Sequence, residues 1–255
     1  MITLVAPELE RYLTRRPTWI GAVVAVVVWG AISLMLGVEA LDARYPVGLA
    51  AYGPGLIIVA TAVVGAWGYF TAASAIGSEQ ASGALGTWLT FNPTRGRVYA
   101  TKLIAVTVPT LVLALVATTL ATGWALILSD RQEPGELGDL MLMAVRGVLV
   151  AGSFAVLGFV FALIGRSTLS ALGVLVGWLV LVAMQAFFAL ALGHGWEWVG
   201  LERVIGEFLF NNESWVSHGL GIDYAVVVAN GFLWFGLVAA LVAVAAAVFA
   251  RRDLH

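Results

Sequence analysis

The chain reads WIGAVVAVVVWGAISLMLGV from Trp19 to Val38, twenty consecutive residues without a charge. About 20 apolar residues are enough to cross the roughly 30 Å hydrocarbon core of a bilayer as a helix. The run is longer than the apolar core of a secretory signal peptide, and no small-residue cleavage motif follows it. It therefore predicts a membrane-spanning helix that the mature protein retains.

The composition extends this prediction to the whole chain. Hydrophobic residues make up 61% and charged residues only 11%, whereas a soluble domain carries about 25% charged residues. Backbone groups in lipid need internal hydrogen-bond partners, which favours helices. We predict an all-α integral membrane protein, a single transmembrane domain over residues 1–255 with six transmembrane helices, at about 19–38, 54–76, 103–128, 140–165, 168–192 and 224–250.

The distribution of the basic residues predicts how these spans are oriented in the membrane. Six spans place both termini on one side, and that side holds nine of the 13 lysines and arginines: Arg11, Arg15, Arg16, Arg95, Arg97, Lys102, Arg166, Arg251 and Arg252. Short loops rich in lysine and arginine stay in the cytoplasm. Both termini are therefore predicted to be cytoplasmic, and most of the acidic residues lie on the outer side.

Residues 1–17 have an amphipathic pattern. On a helical projection the apolar and the charged side chains fall on opposite sides, with Val5, Leu9, Tyr12 and Leu13 on one and Glu8, Arg11 and Arg15 on the other. Such a segment suits a helix lying at the inner membrane surface. The alternative is a polar N-terminal tail.

A second amphipathic segment lies between the fifth and sixth spans. Trp198, Leu201, Ile205 and Phe208 follow helical spacing, and other tryptophans flank them. Aromatic side chains concentrate at membrane surfaces. We predict a short outer helical segment; the alternative is a loop with interfacial tryptophans.

Residues for catalysis are scarce. The chain has no cysteine, its three histidines lie outside the spans, and no metalloprotease, nucleophile-elbow or ATP-binding motif occurs. Asn230 and Gln185 are expected to bond neighbouring helices, and Arg146 to extend towards the surface. We predict no catalytic, cofactor-binding or metal-ligating residue. Without a basic patch, nucleic-acid binding is not expected.

The polar stretch Gly77–Lys102 is the most distinctive part of the chain. It contains an acid, a short apolar helix that ends at Asn92-Pro93, and the residues of the pattern Glu79-x3-Gly83-x9-Pro93-x-Arg95-x6-Lys102. This pattern resembles the cytoplasmic loop of ABC-2-type transporter permeases, the membrane subunits of ABC exporters. Residues 8–16 and 249–254 resemble the amphipathic start and basic end of that family.

The resemblance implies an ABC-2 exporter-type permease fold and roles for particular residues. The loop at 77–102 would dock on a separate cytoplasmic ATPase dimer, which would bind ATP and Mg, through Glu79, Gly83, Leu85, Trp88, Leu89, Pro93 and Arg95. Basic residues would anchor the spans at lipid headgroups: Arg15, Arg16, Arg97, Lys102, Arg251 and Arg252.

A second permease chain, identical or related, would complete the pathway. The pair Gly173 and Gly177 allows close helix approach, either at the seam between the two chains or within one subunit. The implied location is the plasma membrane of a prokaryotic cell.

Two other functions remain open from the sequence. A scaffold or regulatory membrane protein could recruit a cytoplasmic partner through the same loop. A membrane enzyme ranks last, because the spans lack ionisable groups.

Overall fold

The computed structural model describes residues 2–42, 49–91, 94–129, 136–192, 201–210 and 224–251. Within these residues the chain is all-α, and the nine helices are α1 Ile2–Leu13, α2 Arg16–Asp42, α3 Leu49–Ala81, α4 Ala84–Phe91, α5 Arg95–Leu128, α6 Glu136–Gly165, α7 Thr168–Leu192, α8 Leu201–Phe210 and α9 Tyr224–Arg251.

Five helices, α2, α3, α5, α6 and α9, are long and apolar enough to cross a membrane. They confirm the all-α prediction and describe a multi-pass membrane protein. The predicted span at 168–192 coincides with α7. Its apolar part with described side chains, Thr168–Met184, is shorter than the other five, so the count of six spans stays a prediction.

The long helices extend beyond the predicted spans. Helix α5 begins at Arg95 rather than at residue 103, and α3 continues to Ala81 rather than ending at residue 76. With 34 residues, α5 is about 51 Å long at 1.5 Å per residue, well beyond the roughly 30 Å hydrocarbon core. The stretch at 77–102, predicted as a loop around one short helix, is therefore mostly the ends of two long helices with α4 between them.

Helices α3 and α6 form the centre of the fold, and α5 packs against both. Small residues let α3 and α6 approach: a Cβ on Gly158 would lie 2.2 Å from the Tyr69 carbonyl oxygen. Helices in lipid associate largely through such close packing. The outer helices α2, α7 and α9 leave large apolar side chains exposed, among them Val27, Leu169 and Phe232, as suits surfaces that contact lipid.

The predicted outer segment between spans five and six contains the helix α8; Trp198 lies outside the described residues. Ile205 and Phe208 are buried. Asn230 Nδ2 donates a 2.7 Å hydrogen bond to Glu207 Oε2, which confirms its predicted role between helices.

Arg146 makes a contact that the sequence did not predict. Its Nη1 donates to the Phe208 carbonyl oxygen at 3.1 Å, at the C-terminal end of α8, where helix carbonyls carry partial negative charge. The guanidinium therefore joins α6 to α8, and because Arg146 is only partly buried, its extension towards the surface stays a prediction.

Candidate functional site

Three elements bring charged side chains together at one end of the bundle. Glu79 lies in the last turn of α3, and Lys102 lies in the third turn of α5. Helix α1 packs against α5 and contributes Glu8 and Arg11, while Arg15 lies in the break between α1 and α2. We call these five residues the inner ion cluster.

Glu79 is the centre of the inner ion cluster. Its Oε1 accepts a 2.5 Å hydrogen bond from Arg15 Nη2 and lies 3.6 Å from Arg11 Nη1. Its Oε2 accepts a 2.6 Å hydrogen bond from Lys102 Nζ. The same ammonium donates to Glu8 Oε2 at 3.0 Å. One lysine therefore joins two acids from different helices.

The cluster is buried although it is ionic. Glu79 and Lys102 are each 5% exposed, and Glu8 is 7% exposed. Removing charges from water costs several kcal/mol per ion, which only close pairing offsets. Two carboxylates face three cations, so the cluster carries one excess positive charge. The side chain of Arg11, 41% exposed, brings part of that charge to the surface.

Neighbouring polar groups fix the cluster in place. Arg15 Nη1 donates at 3.1 Å both to the Ala75 carbonyl oxygen and to Ser78 Oγ, and so binds the end of α3. Tyr12 donates from its hydroxyl to Thr71 Oγ1 at 2.6 Å. Burial raises the pKa of Tyr12 to about 12. Helix α1 is thus held on α3 by charges and by a neutral phenol.

A small cavity lies beside these side chains. It has a volume of about 20 Å³ and is lined by Glu8, Tyr12, Glu79 and Lys102 among others. Glu8 Oε1 is buried there; it lies 4.0 Å from Arg11 Nη1, and no described residue donates a hydrogen bond to it. A polar cavity of this size accommodates about one water.

Helix α4 is attached to the same cluster. Gly83 makes the turn between α3 and α4 with φ +72°, a conformation that favours glycine. Leu85 belongs to the hydrophobic core and is 1% exposed, and Leu89 packs against this core. Lys102 Nζ lies 5.4 Å from the centre of the Trp88 ring, within the range of a cation–π interaction. Movement of α4 would therefore act directly on the lysine that joins the helices.

Two residues of the predicted docking loop, Trp88 and Leu89, lie on the side of α4 that packs against the bundle. Trp88 and Leu89 are half-buried, whereas Thr87 and Thr90 on the opposite side of α4 are exposed. Trp88 contacts Lys102 and Leu89 packs on the hydrophobic core, so part of their apolar surface covers the ends of the spans, and docking through them stays a prediction. Glu79, another residue of the predicted docking set, is buried.

Two other residues of the predicted docking loop are Arg95 and Pro93. Arg95 Nη1 donates to the Ala250 carbonyl oxygen at 3.1 Å and so connects α5 to the end of α9. Pro93 lies outside the described residues. Contact of any of these loop residues with an ATPase stays a prediction.

The expected headgroup anchors divide into two groups. Arg16, Arg97 and Arg251 are exposed, so anchoring remains their predicted role, and Arg252 lies outside the described residues. Lys102 is buried and pairs with Glu8 and Glu79, and Arg15 is half-buried and pairs with Glu79. Contact of these two residues with lipid headgroups stays a prediction.

The two glycines of α7 are exposed. No described atom lies within 4 Å of a Cβ built on Gly173 or Gly177. They therefore make no close helix–helix contact with the described part of this subunit. Their predicted place at a seam between two chains remains a prediction.

The inner ion cluster itself was not anticipated. Helix α1 buries residues from both sides of the sequence pattern, Glu8 from the charged side at 7% exposure and Tyr12 from the apolar side at 3%, while Leu13 is 38% exposed. A signal for this arrangement exists in the sequence, since two acids and three bases lie near the ends of three apolar runs.

Comparison with known proteins adds no family. No protein-family model matches the chain, and no curated protein matches it.

Proposed function

We propose that this chain is the permease subunit of an ATP-driven ABC-2-type exporter. It would form the translocation pathway as a dimer, with α7 as the sixth span, and a separate cytoplasmic ATPase would bind ATP and Mg. The observation that carries the proposal is the attachment of α4: this short helix between the second and third spans contacts Lys102, which joins α5 to Glu8 of α1 and Glu79 of α3.

The attachment gives a route for transmitting movement. A force on α4 would be transmitted to the hydrophobic core through the packing of Leu85. It would be transmitted to the inner ion cluster through the contact of the Trp88 ring with Lys102. Packed cores and buried ion pairs shift between discrete arrangements rather than deforming continuously. Displacement of α4 would therefore move α1, α3 and α5 together.

The composition of the spans supports an external source of energy. The uncharged run Trp19–Val38 is typical of them, and the buried ions of the inner ion cluster lie at the ends of α3 and α5. Proton- or sodium-driven carriers use ionisable groups within the membrane. Energy from ATP hydrolysis in a partner is consistent with spans of this composition.

The proposed docking surface is the exposed side of α4. Gly83, Thr87 and Thr90 are exposed along it, and Arg97 is exposed at the start of α5. The surface is polar and weakly basic, so the partner groove would present acceptor groups rather than an apolar pocket.

Single-cysteine variants test this surface, because the chain has no cysteine of its own. Thr87→Cys and Thr90→Cys place a thiol on the exposed side of α4. Thr14→Cys is the matched control, an exposed threonine after α1. The complex would be purified from native membranes and treated with a short bismaleimide.

We expect the α4 variants, and not the control, to cross-link to a protein that hydrolyses ATP, and the cross-link to inhibit ATP-driven efflux from vesicles. A complex that hydrolyses no ATP would contradict the proposal and favour the scaffold alternative. Equal cross-linking at Thr14 and Thr87 would contradict the docking surface.

A further inference from the structure

Helix α1 lies at the level of the membrane surface, because only two residues separate it from the span α2. Trp19 and Ile20, near the start of α2, are exposed, as suits side chains that contact lipid. Two surroundings are therefore within reach of α1: the helix bundle, where this structure places it, and the surface of the surrounding lipid.

The amphipathic pattern of α1 is only partly satisfied by the bundle. From its apolar side Tyr12 is buried, but Leu9 is only half-buried and Leu13 is exposed. From its charged side Glu8 is buried, whereas the side chain of Arg11 is 41% exposed. A helix lying flat on a membrane would insert its whole apolar side and keep its charges among the headgroups. The sequence of α1 suits that position at least as well as the docked one.

The inner ion cluster can divide without leaving an unpaired buried charge. Glu79 and Lys102, joined by a 2.6 Å hydrogen bond, form a neutral pair between α3 and α5. The other three members, Glu8, Arg11 and Arg15, belong to α1 and to its C-terminal end. If these three left together, the pair that stays behind would remain compensated. Arg15 would leave with α1, because its guanidinium would otherwise add an excess charge to that pair.

The charge that leaves with α1 selects the kind of lipid that receives it. One acid and two arginines carry one net positive charge, and the exposed pair Glu10 and Arg16 adds none. A basic residue near anionic lipid is attracted by an amount that corresponds to about a fivefold preference. The released helix should therefore favour an anionic over a zwitterionic surface by about fivefold.

We infer that α1 switches between a docked and a released state, and that anionic phospholipid favours the released state. In the docked state α1 lies on α3 and α5, as in this structure. In the released state its apolar side lies in lipid, and Arg11 and Arg15 contact the phosphate groups of anionic headgroups. The inference depends on α1 and the inner ion cluster and does not depend on the proposed export function.

Distances between two spin labels test the release, because the chain has no cysteine of its own. Ala6→Cys places a label on an exposed position of α1, and Gly96→Cys places one in the first turn of α5, where a Cβ meets open space. The labelled full chain would be studied by double electron–electron resonance in nanodiscs of phosphatidylcholine, with or without an equal amount of phosphatidylglycerol. We expect a docked and a released distance, and about a fivefold higher ratio of released to docked protein in the anionic discs.

Three variants separate the response to lipid from the stability of the docked state. Arg11→Gln removes the net charge that leaves with α1, so the ratio should become equal in the two lipids. Arg97→Gln is the matched control, since Arg97 is an exposed arginine of α5 outside the inner ion cluster, and it should keep the fivefold response. Tyr12→Phe removes the hydrogen bond to Thr71, so it should raise the ratio about three- to tenfold in both lipids and leave the response unchanged.

Collision of single labels with oxygen dissolved in lipid shows where the released helix lies. Labels at Leu9→Cys and Leu13→Cys lie on the apolar side and should collide more often with oxygen in the anionic discs. A label at Pro7→Cys, an exposed position on the opposite side of the helix, should show no such increase.

Four results would overturn the inference. The first is one unchanged distance in both lipids for the labelled parent and for Tyr12→Phe, and the second is an equal lipid response in Arg11→Gln and Arg97→Gln. The third is a gain of contact with an aqueous nickel chelate at Leu9 and Leu13, which would mean release into water. The fourth is release by soluble glycerol 3-phosphate in phosphatidylcholine discs, which would indicate a site for a free anion instead of a lipid surface.

Discussion

Replacing Glu79 by glutamine should destabilise the protein more than almost any other change of similar size. The substitution keeps the shape of the side chain but removes the carboxylate that accepts from Arg15 at 2.5 Å and from Lys102 at 2.6 Å. Three cations would then face Glu8 alone. Removing one partner of a buried ion pair costs about 3–5 kcal/mol, because the remaining charge stays buried without compensation.

The size of this loss depends on the burial of the carboxylate, so an exposed glutamate provides the control. Glu79 is 5% exposed, whereas Glu10 on α1 is an exposed acid of the same kind. Glu10→Gln should change the free energy of unfolding by less than about 0.5 kcal/mol, as exposed substitutions usually do. Both variants would be unfolded at equilibrium with SDS in mixed micelles and followed by circular dichroism.

A double-mutant cycle with Lys102→Met isolates the pair. Glu79→Gln removes the acid that pairs with Lys102, and Lys102→Met removes the cation that joins Glu79 to Glu8, whereas the double change removes both members of the pair. The double variant should therefore be more stable than the sum of the two losses predicts, by about 0.5–3 kcal/mol, the range for residues in one network. A Glu79→Gln loss below about 0.5 kcal/mol, or strict additivity, would refute the reasoning about the inner ion cluster.

Three further predictions concern α1, the centre and α8. Burial raises the pKa of Tyr12 from 10.0 to about 12, so the neutral phenol contributes fully to the free energy of unfolding below pH 10, and about 3 kcal/mol of that free energy is lost as the pH rises through 12. Tyr12→Phe should remove this pH dependence, measured by unfolding at a series of pH values and by ultraviolet titration of the phenol. Gly158→Ala, with its Cβ 2.2 Å from a backbone oxygen, should cost about 1–3 kcal/mol in thermal unfolding, whereas Gly236→Ala, in open space, should be neutral or slightly stabilising. Asn230→Ala should cost about 1–3 kcal/mol by leaving Glu207 with one fewer donor and should make α8 more sensitive to protease.

The existence of the long helices could be predicted from the sequence, but their ends could not. Apolar length marks where a chain enters hydrocarbon, and it identified α2, α3, α5, α6 and α9. Helical hydrogen bonding does not stop at that boundary, so the polar residues from Arg95 to Lys102 continue α5. The short α8 was also predictable, because its apolar residues repeat at helical spacing over one segment.

The inner ion cluster required information that a single helical projection lacks. The projection of α1 separates apolar from charged residues but does not say which side faces the protein. Glu8 turns inward because Lys102, 94 residues away in the chain, provides a partner. Tyr12 from the apolar side is buried as well, and Leu13 is exposed, where lipid can cover it. An amphipathic helix at a membrane therefore has two environments to choose from, and partner charges decide between them.

This arrangement changes how residues of the 77–102 segment should be tested for coupling. Trp88 and Leu85 support the spans, so a loss of transport after their truncation would combine lost stability with lost docking. Thr87 and Thr90 are exposed, and bulky or charged replacements there would disturb the proposed docking while leaving the contacts of Leu85 and Trp88 in place. Glu79 belongs to the first group, since its carboxylate holds α1 and α5 to α3. Only variants that unfold like the wild type can therefore assign a coupling role to α4, and the exposed threonines are the positions that meet this condition.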